Sequence, residues 1–222
     1  MKELKEHKRV NDIFLGPLER PALSWLAAHM PSWVTPDICT AIGVFGALLT
    51  MINYLLSNYN PNYLWLASIG FIINWFGDSL DGTLARFRHI ERPRYGYYID
   101  HTTDVVCQVM IVLGLGLTPY VSFNVACLAL TSYLLLSVLV YIRTYVVGEF
   151  KISYGKLGPT ESRVIAVLLN TAMYFFGFQS ISLFQMEISV YDLVVAAIAL
   201  LLTGFFVNTA LREALNLAAL GE

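Results

Sequence analysis

Four aspartates in a strongly apolar chain are the residues best suited to chemistry. Asp78 and Asp81 lie three residues apart, and Asp100 and Asp104 lie four residues apart. At about 100° per residue of helix, each pair falls on one face of its own helix. The spacing therefore predicts two helices whose acidic faces meet in one cluster of four carboxylates, called the acidic cluster below.

The acidic cluster has the chemistry of a metal site. Carboxylates packed together repel one another unless a cation compensates them, and oxygen ligands of this kind suit Mg²⁺ or Mn²⁺. Two such ions about 3.5–4 Å apart can clamp a diphosphate and stabilise an in-line displacement at phosphorus. We therefore expect Asp78, Asp81, Asp100 and Asp104 to bind two divalent ions at a phosphotransfer site. Either pair alone would be more typical of a helix cap or a solvated face.

Small and cationic residues share the faces of the aspartates. Gly82, Ala85 and Arg86 lie on the face of the first pair, and Gly96 lies on the face of the second. Glycine and alanine allow helices and a ligand to approach closely. Arg86 could neutralise charge on a diphosphate, although an ordinary arginine at a helix end is the simpler interpretation.

The composition predicts what surrounds the acidic cluster. The chain has 222 residues, of which 57% are hydrophobic and only 14% are charged, whereas soluble proteins average about 25% charged residues. This indicates an all-α integral membrane protein that crosses the bilayer several times. The formal net charge of −2 argues against a nucleic-acid partner.

Six apolar runs of roughly 20 residues match a hydrocarbon core of about 30 Å. We expect a single membrane domain over 1–222, in which 1–36 form a cytoplasmic or interfacial segment and about 37–210 form a bundle of six transmembrane helices. If residues 17–30 form a helix, most of their large apolar side chains fall near one face and Glu19, Ser24 and His29 oppose them, which favours a short interfacial helix over a plain lead-in. Thr35 followed by Pro36 predicts a capped helix start. The six runs cover about 37–57, from Tyr63 into Asp78, 95–117, 121–147, 162–178 and 188–209.

The basic residues predict an orientation. All 14 Lys and Arg residues fall on one side of the six predicted spans, and the opposite loops at 58–62, 118–121 and 179–187 contain none. By the positive-inside rule, both termini and the acidic cluster should lie on the cytoplasmic side.

A polar loop on the same side could bind the acceptor or a lipid phosphate. It supplies Arg143, Lys151, Lys156 and Arg163, although these residues could also serve only the positive-inside rule. Within it, Thr160 is predicted to cap the helix that follows.

The segment 78–104 resembles the signature of a known family. Asp-x2-Asp-Gly-x2-Ala-Arg is followed, after nine residues, by Gly-x3-Asp-x3-Asp. This pattern is similar to that of the CDP-alcohol phosphotransferases, also called CDP-alcohol phosphatidyltransferases, which are integral membrane enzymes of phospholipid synthesis. The motif directly covers 27 residues, and the predicted six-helix layout also matches the fold of that family.

The resemblance implies a reaction and a role for each residue. A CDP-alcohol would bind with its diphosphate on the metals, an acceptor hydroxyl would attack the β-phosphorus, and CMP would leave. Asp78, Asp81 and Asp100 would be metal ligands, and Asp104 would be both a ligand and the general base. The small residues would give the cytidine room, and a homodimer is expected.

The resemblance leaves the substrates open. Asp100 followed by His101 is similar to the choline and ethanolamine phosphotransferase branch, whereas the chain length is similar to enzymes that use CDP-diacylglycerol and a small polar acceptor. His101 lies about 100° round the helix from Asp100, which favours packing or support of a ligand over direct ligation.

Two other functions fit acidic helices in a membrane. A membrane prenyltransferase also holds a diphosphate through aspartates, but with different spacing, and a cation-coupled transporter buries carboxylates near the bilayer midplane. The predicted position of the aspartates at the ends of the spans favours an enzyme that acts on a water-soluble nucleotide.

Overall fold

Seven helices dominate the part of the chain that this computed structural model describes, which comprises residues 8–10, 14–151, 158–183 and 186–220. The first helix precedes the bundle. Each of the other six begins within about three residues of the start of a predicted apolar run, which is the usual precision for a helix boundary. The helices are α1 (Gly16–His29), α2 (Pro36–Leu56), α3 (Tyr63–Phe87), α4 (Pro93–Gly116), α5 (Phe123–Val147), α6 (Pro159–Phe176) and α7 (Val190–Ala219).

The described residues also include four short strands, one before α1 and three between later helices. The strands β1 (Lys8–Val10) and β2 (Glu149–Lys151) pair in parallel, with Lys8 opposite Glu149. The strands β3 (Ser180–Leu183) and β4 (Met186–Ser189) form an antiparallel pair between α6 and α7. Strands of three or four residues leave the predicted all-α class unchanged.

The membrane-spanning capacity is clearest for four of the helices. Within the described ranges, α2, α4, α5 and α7 are long and apolar enough to cross a bilayer. The helices α3 and α6 carry charged residues that lower their hydropathy, among them Asp78, Asp81, Glu161 and Arg163. The structure thus supports a multi-pass membrane protein, and the count of six spans stays a prediction.

The helix α2 begins as its sequence predicts. Thr35 is the N-cap, and its Oγ1 accepts a hydrogen bond of 3.3 Å from the backbone N–H of Ile38. Pro36 follows at the first helical position, where its missing N–H costs no hydrogen bond. The predicted cap is therefore confirmed.

The start of α6 differs from the prediction. The N-cap is Gly158, and the Glu161 carboxylate accepts a hydrogen bond of 2.9 Å from the Gly158 N–H. The Thr160 hydroxyl instead donates to Glu19 of α1, over 2.8 Å. The prediction that Thr160 caps this helix was wrong, because a hydrogen bond to another helix uses its hydroxyl.

Glycines allow α2 and α3 to pack backbone against backbone. A Cβ added to Gly46 would lie 2.8 Å from the Cα of Asn74, and one added to Gly77 would lie 2.6 Å from the Cα of Gly43. Carbon atoms pack about 3.5–4.0 Å apart, so neither position has room for a side chain. We call this contact the glycine seam, and it fixes α3 closely against the start of α2.

The helix α1 packs on the bundle through one face only. Its Leu23 and Ala27 join Cys39, Leu80 and Leu84 in a buried cluster. The opposite face exposes two large apolar side chains, Leu18 at 75% and Trp25 at 61%. The interfacial position expected for 17–30 remains a prediction.

Candidate active site

The first aspartate, Asp78, lies where three helices meet. One of its carboxylate oxygens is 2.7 Å from the guanidinium of Arg163 on α6. The Nε of Arg163 also donates to the Asn74 side chain over 2.8 Å, and Asn74 in turn donates to the Gly43 carbonyl of α2. The glycine seam and this chain of hydrogen bonds hold the Asp78 carboxylate in one orientation.

The second aspartate of α3, Asp81, is held by α2. Its Oδ2 accepts a hydrogen bond of 2.7 Å from the Thr40 hydroxyl, and its Oδ1 accepts from the Gly82 backbone N–H. A carboxylate oxygen can accept more than one hydrogen bond or bind a cation as well. Asp81 is therefore oriented but retains the capacity to act as a ligand.

The helix α4 supplies the other two aspartates together with a histidine. One donor atom from each of Asp100, His101 and Asp104 lies within 4.8 Å of the others, and the His101 Nδ1 is 3.4 Å from an Asp100 oxygen. The imidazole packs edge-on against Tyr97 and lies tilted over Tyr141 of α5. The packing predicted for His101 is present, and one of its ring nitrogens is also close enough to both carboxylates to bind a cation together with them.

The two acidic helices meet through Asp78 and Asp104, which line the same small cavity and are close enough for their charges to interact. Two neighbouring carboxylates repel each other unless they share a proton or a cation compensates them. A donor set of carboxylates with one imidazole suits a hard or borderline divalent cation. The residues present therefore fit the predicted divalent ion, whereas its identity and the number of ions stay predictions.

An open surface surrounds the residues that are predicted to face the nucleotide. A Cβ added to Gly82 would meet only the Arg86 side chain, at 3.2 Å, and one added to Gly96 would meet no atom within 4 Å. Ala85 is half-buried and Arg86 is exposed, with its guanidinium 3.3 Å from the Thr83 hydroxyl. Space for a ligand thus exists beside the acidic cluster.

The four basic candidates for the acceptor differ in position. Arg163 reaches the acidic cluster, whereas Arg143 forms an ion pair of 2.8 Å with Glu213 of α7. Lys156 lies outside the described residues, and for Lys151 the structure describes only the backbone, in β2. Arg163 is therefore the member of this group that the fold brings to the aspartates.

Sequence reasoning did not identify the supporting residues Asn74 and Thr40. Asn74 stands four residues before Asp78 on the same face of α3, so helical periodicity could have identified it. Thr40 could not be linked to Asp81 from the sequence, because that contact depends on how α2 and α3 pack.

Comparison with known proteins adds an independent line of support. The model of the CDP-alcohol phosphatidyltransferase family matches residues 33–208, which contain all four aspartates and nearly all of the bundle. The chain belongs to the CDP-alcohol phosphatidyltransferase family. Membership in this family, with the four apolar helices, makes it an integral membrane protein, and it does not favour a prenyltransferase or a transporter.

Curated relatives of this CDP-alcohol phosphatidyltransferase family member carry the name cholinephosphotransferase 1. The Danio rerio protein is 25% identical over 205 residues, which cover 86% of this chain and 51% of the relative. The Gallus gallus protein is 27% identical over 191 residues, which cover 80% of this chain and 55% of the relative. The chain thus spans about half the length of the curated relatives it matches.

Proposed function

We propose that this protein transfers a substituted phosphate group from a CDP-alcohol to the hydroxyl of an acceptor, with release of CMP, in phospholipid synthesis. The observation that carries the proposal is the convergence of Asp78 from α3 with Asp100 and Asp104 from α4. These are the aspartates of the family motif, and the family model covers them.

We propose that Asp78, Asp81, Asp100 and Asp104 hold two Mg²⁺ or Mn²⁺ ions. Such ions, when bound, would neutralise the diphosphate and stabilise the charge that develops on its oxygens. The proposal is supported by the shared cavity that Asp78 and Asp104 line and by the close donor atoms of α4.

Asp104 is our proposed general base. The acceptor oxygen forms a bond to the β-phosphorus, the bond from that phosphorus to the bridging oxygen breaks, and CMP leaves with the electron pair. Asp104 accepts the hydroxyl proton of the acceptor. A carboxylate among other carboxylates is a stronger base than an isolated one, which supports this role.

The cytidine is proposed to lie along the exposed face of α3 and the start of α4. Gly82, Ala85 and Gly96 give it room, and Arg86 lies where it could contact a phosphate oxygen. The open space at Gly96 supports this position, as does the fact that only the flexible Arg86 side chain lies near Gly82.

Arg163 is our proposed contact for a phosphate of the donor or of a lipid acceptor. Its NH1 is buried and makes no hydrogen bond within the described part of the chain. A guanidinium that donates to Asp78 and Asn74 is held rigidly, so its remaining donor is oriented in advance for an anion. Arg143, Lys151 and Lys156 remain further candidates for the acceptor.

The donor is proposed from two resemblances. The names of the relatives and the sequence Asp100-His101 both favour a CDP-choline-type donor, with diacylglycerol as the matching acceptor. CDP-diacylglycerol with a small polar acceptor is the second candidate, because the family motif leaves the substrates open.

We further propose six membrane spans, with α3 and α6 as the two beyond the clearly apolar four. The interfacial position of α1, the cytoplasmic location of the acidic cluster and both termini, and a homodimer belong to the same proposal. The distribution of all 14 basic residues supports the orientation.

The test is donor-dependent release of CMP. Purified protein in lipid vesicles is incubated separately with CDP-choline, CDP-ethanolamine and CDP-diacylglycerol, with pooled acceptors and Mg²⁺ or Mn²⁺, and the lipid formed is identified by mass spectrometry. We expect CMP release with at least one donor, and only with a divalent ion. If no donor yields CMP, the proposal is wrong.

A further inference from the structure

Glu19 of α1 is hydrogen-bonded to two other helices at once. Its Oε1 accepts from the Trp75 indole over 2.8 Å and from the Ser79 hydroxyl over 3.3 Å, both on α3. The same oxygen accepts from the Thr160 hydroxyl of α6 over 2.8 Å. A single carboxylate thus joins α3 and α6 through a helix that precedes the predicted bundle.

A second carboxylate, on α6, accepts a hydrogen bond from the segment that leads into α1. Glu161 of α6 is only 6% exposed, and its Oε1 accepts a hydrogen bond of 2.8 Å from the backbone N–H of Leu15, immediately before α1. Its other oxygen accepts from Gly158 at the start of its own helix. The two acids therefore tie α1 and α6 together at neighbouring points.

These contacts adjoin the pair formed by Asp78 and Arg163. Ser79 follows Asp78 directly, and Thr160 precedes Arg163 by three residues, which is less than one helical turn. The carboxylate of Glu19 thus bridges α3 and α6 close to the 2.7 Å ion pair between Asp78 and Arg163. Neither Glu19 nor Glu161 belongs to the family motif described above.

We propose that Glu19 is a positioning residue, which holds Asp78 and Arg163 at their working separation and so makes α1 part of the active-site framework. The inference rests on the proposed phosphotransfer, because it assigns Glu19 an effect on that reaction. Charge-assisted hydrogen bonds are stronger than neutral ones, and residues that orient metal ligands typically contribute about 10–100-fold in affinity or activity.

The test compares Glu19→Ala and Glu19→Gln with the parent protein in lipid vesicles. Three quantities are measured for each: Mn²⁺ affinity by electron paramagnetic resonance, thermal stability, and the kcat and KM for CMP release. We expect Glu19→Ala to weaken Mn²⁺ binding and to lower kcat by about tenfold or more, with little change in donor KM. Glu19→Gln keeps an acceptor oxygen in place and should recover most of the loss.

Two control variants separate positioning from general damage. Glu187→Ala removes an exposed carboxylate between α6 and α7 and should match the parent. Ser132→Ala removes a 2.9 Å hydrogen bond between α5 and α7, so it should lower thermal stability without weakening Mn²⁺ binding.

The inference is overturned if Glu19→Ala keeps parental Mn²⁺ affinity and kcat. It is also overturned if Ser132→Ala, at an equal loss of stability, weakens Mn²⁺ binding to the same degree. Failure of the parent to release CMP would instead contradict the proposed function, and the Mn²⁺ comparison would still decide whether Glu19 positions the acidic cluster.

Discussion

The Arg163 guanidinium lies 2.7 Å from the Asp78 carboxylate, although 85 residues separate the two in the chain. Both side chains are largely buried, with exposures of 16% and 22%. An arginine in direct contact with a proposed metal ligand can reduce the repulsion among the aspartates and can still donate to a phosphate. The contact links α6 to a motif that lies entirely on α3 and α4.

Arg163→Ala should lower kcat by about 10²–10³-fold, because the loss of one donor to developing phosphate charge has effects of this size. Arg163→Lys should recover only part of the activity, since lysine keeps the charge but cannot reproduce the planar contacts to Asp78 and Asn74. CMP release and thermal stability are measured together. Arg212→Ala, at an exposed position on α7, is the control and should match the parent. Near-parental kcat for Arg163→Ala would contradict the proposed role.

Asp78→Asn and Asp100→Asn should each abolish detectable turnover and weaken Mn²⁺ binding, because each removes an anionic ligand from a shared site. Treatment of the parent with EDTA should have the same effect on turnover, and added Mn²⁺ should restore it. Glu187→Gln makes the same chemical change at an exposed site and should leave both quantities unaltered. Normal activity in both aspartate variants would exclude the acidic cluster as the active site.

Gly82→Val should weaken binding of the CDP-alcohol while leaving Mn²⁺ affinity and folding intact. The only group near an added Cβ is the flexible Arg86 side chain, so the new side chain would extend into the proposed cytidine space. We expect donor affinity to fall by about tenfold or more, measured by isothermal titration beside the melting temperature. Gly204→Val is the matched control, since a Cβ there also meets nothing within 4 Å. Unchanged donor affinity in a folded Gly82→Val would place the cytidine elsewhere.

Gly46→Ala should destabilise the protein, in contrast to Gly82→Val. Its new Cβ would meet the Asn74 and Gly70 backbones of α3 at 2.8 Å, and overpacking typically costs about 1–3 kcal/mol. Because the glycine seam holds α3, Mn²⁺ affinity should fall as well. Thermal unfolding and Mn²⁺ titration measure both effects, with Gly204→Ala as the control. If Gly46→Ala were as stable as the parent, α2 and α3 would be able to move apart without loss of thermal stability, which would contradict this prediction.

Cysteine labelling checks the proposed orientation. In a background without the three native cysteines, Glu91→Cys should react with an impermeant reagent from the cytoplasmic side, and Asn60→Cys from the opposite side. Both positions are exposed. Labelling of the two from the same side would contradict the topology derived from the basic residues.

The helices, the membrane class and the family motif could all be predicted from the amino-acid sequence. These depend on local patterns: apolar runs long enough to cross a bilayer, Thr35-Pro36 at a helix start, and aspartates spaced three or four residues apart on single helices. The helix α3 continues through Asp78 and Asp81 as predicted, because no breaker interrupts it before Phe87.

Which residues from different helices surround the aspartates depends on how the helices pack. Position in the chain groups Arg163 with a basic loop and predicts Thr160 as a cap, whereas helix packing directs the first to Asp78 and the second to Glu19. Thr40 and Asn74 likewise reach their partners only because the glycine seam brings α2 and α3 into backbone contact. A sequence records spacing along one helix, but the distance between two helices depends on how side chains from both fill the space between them.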